Sequence, residues 1–277
     1  MKKLLAAAAI MALLTACGGM GSKILDKDTV IQGFTLKAGT KAVFFADGKL
    51  NTGFLAAETN IKGVLLKPGD QIALSTNGKI VNAILTNDTK VYWYKIASGS
   101  QLDFDMKSKV CGITTAAKLE IVSNVSVPAG SYIGVTNYKN YVVDYDKTNE
   151  VPMTIVWKVV PSEDTDINGL VYKKDTTVLF SESGRAYEGI IAVDTVLYDC
   201  KIPAGSKVNI DGPGNGQIWI SAPAEIRGAT FAAGTEFAFT LFAKVRYVRV
   251  TNDAMLLSGK LQDDITILYY SNQAPVK

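Results

Sequence analysis

Histidine is absent from the 277 residues of this chain. It is the side chain most often used as a general base and the commonest ligand of transition metals. No recognisable catalytic motif takes its place. We therefore expect no catalytic residues, no metal site and no cofactor.

An excess of charge of one sign is missing too. The 29 lysines and arginines nearly balance the 26 aspartates and glutamates, which gives a formal net charge of +3. Proteins that bind nucleic acids in general carry a strongly basic footprint. We therefore expect no nucleic-acid partner.

The amino-terminal apolar run, residues 4–14, is too short to cross a bilayer as a helix, which takes about 20 residues. Two lysines precede it and Leu14-Thr15-Ala16-Cys17 ends it, a pattern typical of secretory signals. These last four residues also closely resemble the lipobox of bacterial lipoproteins, in which a leucine, two small residues and an invariant cysteine end the signal.

The lipobox resemblance implies cleavage before Cys17 and acylation of its sulfur, usually with a further acyl chain on the new amino group. One acyl chain anchors a protein only marginally, so stable anchoring needs more than one. Gly18 follows the cysteine where an aspartate would oppose sorting to the outer membrane. The resemblance thus implies a lipid-anchored cell-envelope protein, in the outer membrane if the organism has two. The alternative is an ordinary secretory signal.

Cysteine is scarce, and only Cys111 and Cys200 remain after the anchor. An exported chain meets oxidising conditions, in which two thiols commonly pair. A disulfide between them would join the first set of repeats described below to the second. Two buried thiols packed as small apolar side chains are the alternative.

Glycine, by contrast, recurs with a fixed spacing. Thirty residues separate Gly33 from Gly63, Gly39 from Gly69, and Gly48 from Gly78. Residues 28–57 form one unit and residues 58–87 repeat it. A period of this size is typical of repeat architectures, in which each unit buries its apolar face by stacking on its neighbours.

Each unit contains signals for tight turns. Asp47-Gly48 and Asn77-Gly78 lie between apolar runs and predict hairpins with two-residue type I′ turns. Ala38-Gly39 and Pro68-Gly69 predict a second turn, so a unit contains about four short strands. Turns that continue into lysine loosely resemble those of MORN-type hairpin repeats. The aromatic and paired-glycine signature of that family is missing, so the resemblance implies no lipid-binding role.

Weaker copies follow along the chain. A third begins at Asp88 and diverges after Asp103, and the pattern resumes at Thr165. We predict an all-β body, either an elongated stack of hairpins or a β-solenoid, with two packed β domains as the alternative. The expected segments are a signal peptide (1–16), an anchor and tether (17–22), a first repeat region (23–147), an insertion or boundary (148–162), a second repeat region (163–270) and a tail (271–277).

Aromatic residues gather at Tyr92-Trp93-Tyr94, and Trp157 lies in the expected insertion. Adjacent residues on a strand face opposite ways, so the three neighbours cannot all enter one core. Exposed rings can stack on sugars or on partner proteins. These four residues form the candidate binding surface, and burial between stacked units is the alternative for each ring.

Two other features are better explained by turn geometry. A glycine-rich loop at 211–216 lacks the lysine and hydroxyl ending of a phosphate-binding loop. Acidic pairs separated by one residue lack the glycine and distal glutamate of a calcium loop. These pairs are Asp103 with Asp105, Asp144 with Asp146, and Asp164 with Asp166.

The chain therefore reads as a membrane-anchored envelope protein with a non-catalytic structural or binding role. Its expected partners are the membrane, through the anchor, and a glycan or an envelope protein. A carbohydrate-active enzyme that uses two carboxylates is one alternative, because such chemistry does not need histidine. A component of envelope assembly or adhesion is the other.

Overall fold

The computed structural model describes residues 21–122, 124–144, 147–197, 200–210, 216–239, 245–250, 256–259 and 266–269. These residues form β-strands and turns, with no helix among them. The prediction of an all-β fold built from short strands and tight turns is confirmed. The chain divides into two compact units, one ending at Ala116 and the other starting at Ala117.

The described residues of the first unit, 21–116, form thirteen strands of three to five residues each. In chain order they are β1 (Gly21–Ile24), β2 (Thr29–Ile31), β3 (Phe34–Leu36), β4 (Lys41–Phe44), β5 (Leu50–Phe54), β6 (Thr59–Ile61), β7 (Val64–Leu66), β8 (Gln71–Leu74), β9 (Ile80–Ile84), β10 (Thr89–Val91), β11 (Tyr94–Ile96), β12 (Gln101–Phe104) and β13 (Val110–Thr114). Seven of them form an antiparallel main sheet in the order β1-β4-β5-β8-β9-β12-β13. The others pair two by two as separate hairpins, β2–β3, β6–β7 and β10–β11.

The hairpins pack against one face of the main sheet. Along β8 the side chains alternate, with Ile72 and Leu74 buried and Gln71 and Ala73 half-buried. This alternation places every second residue in the core. Leu36 of the first hairpin is fully buried over the main sheet, where a Cβ on Gly53 would lie 3.0 Å from its Cδ1. The core is therefore the layer between the hairpins and the sheet.

The turn at Asp47-Gly48 joins β4 to β5 as predicted, but the expected turn type is wrong. Only Gly48 has a positive φ, of 81°, and its N–H donates to the carbonyl of Phe45 at 2.9 Å. This geometry is a type I turn followed by a left-handed glycine. The turn with positive φ at both central residues occurs instead at the hairpin tips, at Gln32-Gly33 and Lys62-Gly63.

The third copy of the repeat does not end at Asp103. Strands β12 and β13 continue the pattern through a turn in which Ser108, at φ 59°, takes the position of Gly48 and Gly78. A serine in this position hides the repeat from a search for glycines.

Each unit contains buried polar residues directly after a left-handed glycine. Asp70 and Ser100 in the first unit, and Ser206 in the second, are at most 1% exposed. The side-chain oxygen of each accepts a hydrogen bond from a backbone N–H further along the chain. The donors are Thr86 to Asp70 at 2.7 Å, Ala116 to Ser100 at 2.9 Å and Ser221 to Ser206 at 3.1 Å. In the second and third copies, these contacts join the turn after the small hairpin to the end of the same copy.

The second unit repeats the plan, and two of its strands are much longer. Its strands are β14 (Leu119–Val122), β15 (Val125–Val127), β16 (Tyr132–Asp144), β17 (Lys147–Val160), β18 (Thr165–Ile167), β19 (Leu170–Tyr172), β20 (Val178–Phe180), β21 (Ala186–Ile190), β22 (Thr195–Leu197), β23 (Cys200–Ile202), β24 (Lys207–Asn209), β25 (Gly216–Trp219), β26 (Ala224–Ile226), β27 (Ala229–Phe231), β28 (Glu236–Phe239), β29 (Val245–Val250), β30 (Leu256–Gly259) and β31 (Thr266–Tyr269). The order of its main sheet is β16-β17-β20-β21-β24-β25-β28-β29-β31. Every pairing in this order is antiparallel except the parallel pair of β29 and β31.

The segment expected to be an insertion, 148–162, lies mostly in β17. This strand has 14 residues and pairs along its length with the 13 residues of β16. The remaining small hairpins of the unit are β14–β15, β18–β19 and β22–β23, while β26, β27 and β30 form a three-stranded sheet.

Candidate ligand-binding groove

The tip of the third hairpin differs from the two before it. Its two turn residues are Tyr92 and Trp93, where the first two hairpins have Gln32-Gly33 and Lys62-Gly63. The Trp93 side chain is 64% exposed. Tyr92 has a φ of 54°, in the left-handed region that a bulky residue rarely adopts. The third hairpin therefore presents an indole ring at a position that is glycine in its neighbours.

A hydrogen bond holds Tyr92 in this conformation. Its hydroxyl donates to the carbonyl of Val110 at 3.0 Å, across to the main sheet. The same position of the repeat makes a related contact elsewhere, since the Asn168 side chain accepts from the N–H of Ala186 at 3.3 Å. Tyr92 thus links the hairpin to the main sheet. It fixes the turn that carries Trp93.

A groove of about 540 Å³ runs between the second and third hairpins. Leu65, which is 40% exposed, and Tyr92 supply its apolar surface. Its polar and charged lining comes from four residues, namely Lys62, Lys67, Thr89 and Lys90. Gly63 is the remaining lining residue that the structure describes. The described lining therefore contains three lysines and no acidic residue.

Lys90 faces a second lysine across the hairpin. It lies directly opposite Lys95, and both side chains are exposed. Like charges in directly opposed strand positions repel and destabilise the pair. The carboxylate of Asp88 lies 3.3 Å from the Lys95 ammonium and offsets part of this charge.

Asp88 is first of all a structural residue. Its Oδ1 accepts the N–H of Ser98 at 3.1 Å, and Asp28 makes the matching bond to Ala38 at 2.8 Å in the first copy. The Ser98 N–H, and after it Lys95, lowers the pKa of the Asp88 carboxyl below its usual value. Asp88 is therefore ionised at neutral pH while it holds the turn.

Tyr94, the third aromatic of the predicted surface, is half-buried, and burial raises the pKa of its hydroxyl. The three neighbours thus have different surroundings, although only Tyr94 lies on a strand and the other two form the turn. Trp93 faces solvent, Tyr92 spans from hairpin to sheet, and Tyr94 lies partly in the interior.

Trp157, the fourth predicted surface residue, belongs to the second unit. It is the extra residue of a bulge in β17, and its ring is 40% exposed. A Cβ on Gly134 would lie 3.0 Å from the indole, so the glycine leaves space for the ring. The Lys158 ammonium lies 4.7 Å from the Trp157 ring centroid and 5.1 Å from that of Tyr132. These distances are typical of cation–π contacts.

The two body cysteines lie in different units. Cys111 is half-buried in β13, with its sulfur 3.6 Å from the Asp103 carbonyl, and Cys200 is buried in β23. Their pairing stays a prediction. Cys17 and residues 211–215 of the glycine-rich loop lie outside the described residues.

Of the acids in the three sequence pairs, Asp103 accepts the side-chain amides of Asn82 and Gln101, and three others accept backbone N–H groups. Asp105 Oδ1 accepts the N–H groups of Lys107 and Lys109, at 2.8 and 2.9 Å. Asp164 and Asp166 likewise accept backbone N–H groups. In the part of the chain that the structure describes, no three acids or cysteines come together as a metal site.

Comparisons with protein-family profiles, with curated proteins and with solved structures yield no match. Within the described ranges, no helix is long and apolar enough to cross a membrane.

Proposed function

We propose that this protein is a lipid-anchored, non-catalytic binding protein of the bacterial cell envelope, and that its ligand lies in the groove between the second and third hairpins. The observation that carries the binding role is the exposed Trp93 beside a lysine-lined groove. Trp93 is 64% exposed, so burial contributes little to keeping a tryptophan at that place.

The local backbone supports the same proposal. All three tips have a left-handed residue in the first turn position, with φ of 51° at Gln32, 50° at Lys62 and 54° at Tyr92. Among these three, the third alone has a residue other than glycine in the second position, and that residue is the exposed Trp93. The hydrogen bond from Tyr92 to the carbonyl of Val110 holds the turn, so the indole is presented on a fixed backbone.

The anchor rests on the lipobox at Cys17. An anchored body stays at the envelope surface, so its repeats present the groove to polymers and proteins of the envelope. Labelled fatty acid should be incorporated into the wild-type protein and not into the Cys17→Ser variant. Label that persists in the variant would overturn the anchor.

Binding is tested with the detergent-solubilised, acylated protein on arrays of glycans and of envelope proteins. We expect at least one ligand whose binding falls when Trp93 is replaced by glycine, the residue of the neighbouring tips. The matched control is Val30→Gly, which removes an exposed side chain, 69% accessible, from the first hairpin. Equal binding by the wild-type protein and by Trp93→Gly, for every ligand found, would overturn the groove as the site.

A further inference from the structure

The charge pattern of the hairpins singles out the third one. The outward-facing pair opposite each other is Val30 with Thr35 in the first hairpin and Asn60 with Leu65 in the second. In the third it is Lys90 with Lys95. Folding gains nothing from two opposed ammonium groups. An anionic ligand would convert this repulsion into attraction.

The second hairpin adds positive charge from the other side of the groove. Lys67 donates from its ammonium to the carbonyl of Asp88 at 2.8 Å, which holds the side chain across the gap between the hairpins. Lys62 occupies the tip of the same hairpin, at a φ of 50°. Together with Lys90 these lysines border a groove whose described lining has no carboxylate.

The groove also offers apolar surface, which a small inorganic anion would not use. Leu65 and Tyr92 lie along it, and the exposed Trp93 ring stands at the hairpin tip. Flat apolar rings in general stack on the C–H faces of sugars, and lysine ammonium groups in general bind carboxylates and phosphates. A volume of about 540 Å³ lies in the range of pockets that hold ligands larger than a single ion.

We infer that the groove binds a stretch of an acidic polysaccharide, with sugar rings against Trp93 and Leu65 and carboxylate or phosphate groups near Lys62, Lys67, Lys90 and Lys95. This inference rests on the proposed binding function and names its ligand class. The acidic groups take the place of solvent counterions between the opposed lysines. The sugar faces cover the indole that folding leaves exposed.

The test is a titration of the acylated, detergent-solubilised protein with polygalacturonate, which carries carboxylates, and with a phosphomannan, which carries phosphates. At least one should bind, and its affinity should fall as salt is raised, because exposed charges are screened. Neutral dextran, polyglutamate, duplex DNA and vesicles containing phosphatidylglycerol are the comparison ligands. Dextran tests for sugar stacking alone, polyglutamate and DNA test for charge alone, and the vesicles test for membrane binding.

Three variants assign the binding to the groove. Lys90→Gln with Lys95→Gln should weaken binding roughly tenfold or more. Each lysine near an anionic surface contributes about 1 kcal/mol of binding free energy, and both contributions are lost. Trp93→Gly should weaken it roughly three- to tenfold, from the loss of ring stacking. The matched control, Lys27→Gln with Lys37→Gln, removes two exposed lysines that flank the first hairpin and should change binding less than about twofold. Thermal unfolding of each variant reports folding separately, and we expect no decrease in Tm for the two glutamine substitutions at the groove.

Several results would overturn the inference. Equal binding of polyglutamate or DNA would make the groove a general polyanion site, and equal binding of dextran would remove the role of the lysines. Vesicle binding that falls in the variant Lys90→Gln with Lys95→Gln would assign the lysines to the membrane, since the acyl anchor is the same in both proteins. If neither acidic polysaccharide binds, the ligand class is refuted, while an array ligand whose binding depends on Trp93 would still support the proposed function. If no ligand of either experiment binds, the ligand class and the proposed function are both refuted.

Discussion

Lys90 and Lys95 face each other across the third hairpin, each in the outward position of its strand. Only Lys95 has a carboxylate at ion-pair distance among the contacts that the structure describes, that of Asp88 at 3.3 Å. The corresponding positions of the first hairpin are the uncharged Val30 and Thr35. The hairpin architecture therefore forms without these two charges.

Removing one charge of the pair should stabilise the protein. We expect Lys90→Gln to raise the free energy of unfolding by about 0.2–1 kcal/mol, because it removes the repulsion and keeps the Lys95–Asp88 contact. The measurement is urea denaturation at low salt, and the gain should shrink at high salt because screening already weakens the repulsion. Lys95→Gln is the control and should gain less, since it also loses the contact with Asp88. A loss of stability in Lys90→Gln would show that the lysine has a structural role.

Asp70 should contribute strongly to stability through its buried hydrogen bonds. It is fully buried and accepts the N–H of Lys67 and both the N–H and the hydroxyl of Thr86, at 2.7 to 2.8 Å. Asp70→Ala leaves two backbone donors without this acceptor. A buried unsatisfied group costs about 1–3 kcal/mol, so we expect a loss of roughly 2–4 kcal/mol in urea denaturation.

The repeat itself supplies the control for Asp70. Ser100 and Ser206 occupy the same place after a left-handed glycine and accept one backbone N–H each. Asp70→Ser should therefore lose distinctly less stability than Asp70→Ala. Equal losses for the two variants would mean that the side-chain acceptor is not the source of the stabilisation.

The sequence was sufficient to predict the strands, the turns and the 30-residue period because those signals are local. Gly48 and Gly78 have positive φ, which the residue type itself favours. The third copy was lost beyond Asp103 because Ser108 adopts the same conformation without being a glycine. One substitution at a turn hides a repeat from a search by residue type, although the strands on either side continue to pair.

The candidate site was only partly predictable. Trp93 stands out in the sequence as an aromatic residue in a position that is glycine in other copies. The lysines were missed because Lys67 and Lys90 belong to different hairpins, and their proximity depends on how β7 and β10 lie beside each other. The opposition of Lys90 and Lys95 could have been predicted in principle, since each lies two residues from the nearer residue of a two-residue turn.

Residues 103–162, in which the repeat was not recognised from the sequence, contribute differently. They supply β16 and β17, much longer than the strands of the first unit, together with the Trp157 ring and its contact with Lys158. The groove instead lies before residue 103, in a copy of the repeat that is complete. A candidate site can therefore arise where one complete copy of the repeat has different residues at its hairpin tip, and not only where the repeat is interrupted.

The turn at Ser108 should tolerate glycine with a gain in stability. A left-handed conformation costs an L-residue about 1–2 kcal/mol, and glycine avoids this cost. Part of that gain is offset because glycine loses more conformational entropy on folding than serine does. We expect Ser108→Gly to stabilise by about 0.5–1 kcal/mol in urea denaturation. Gly48→Ser, the reverse change at the equivalent turn, should destabilise by a similar amount. A loss of stability in Ser108→Gly would indicate that the serine side chain contributes more than its backbone conformation costs.

Tyr172 should make the protein sensitive to alkali. The ring is 1% exposed and lies over Gly189, where a Cβ would come within 2.5 Å of its Cδ1. Burial raises the pKa of Tyr172 from 10.0 to about 12. Since the folded state disfavours the phenolate, the stabilising effect of the neutral hydroxyl is fully present below pH 10. It is lost as the pH rises through the folded pKa, by about 2–3 kcal/mol in total.

The measurement is the free energy of unfolding of the wild-type protein and of Tyr172→Phe between pH 9 and pH 12. The variant keeps the ring over Gly189 and loses the ionisable hydroxyl, so the wild-type protein should lose stability relative to it as the pH rises. Tyr94, whose pKa burial also raises, titrates in both proteins and cancels in the difference. Parallel curves would show that the Tyr172 hydroxyl ionises in the folded state as readily as in water, which contradicts its enclosure in the core.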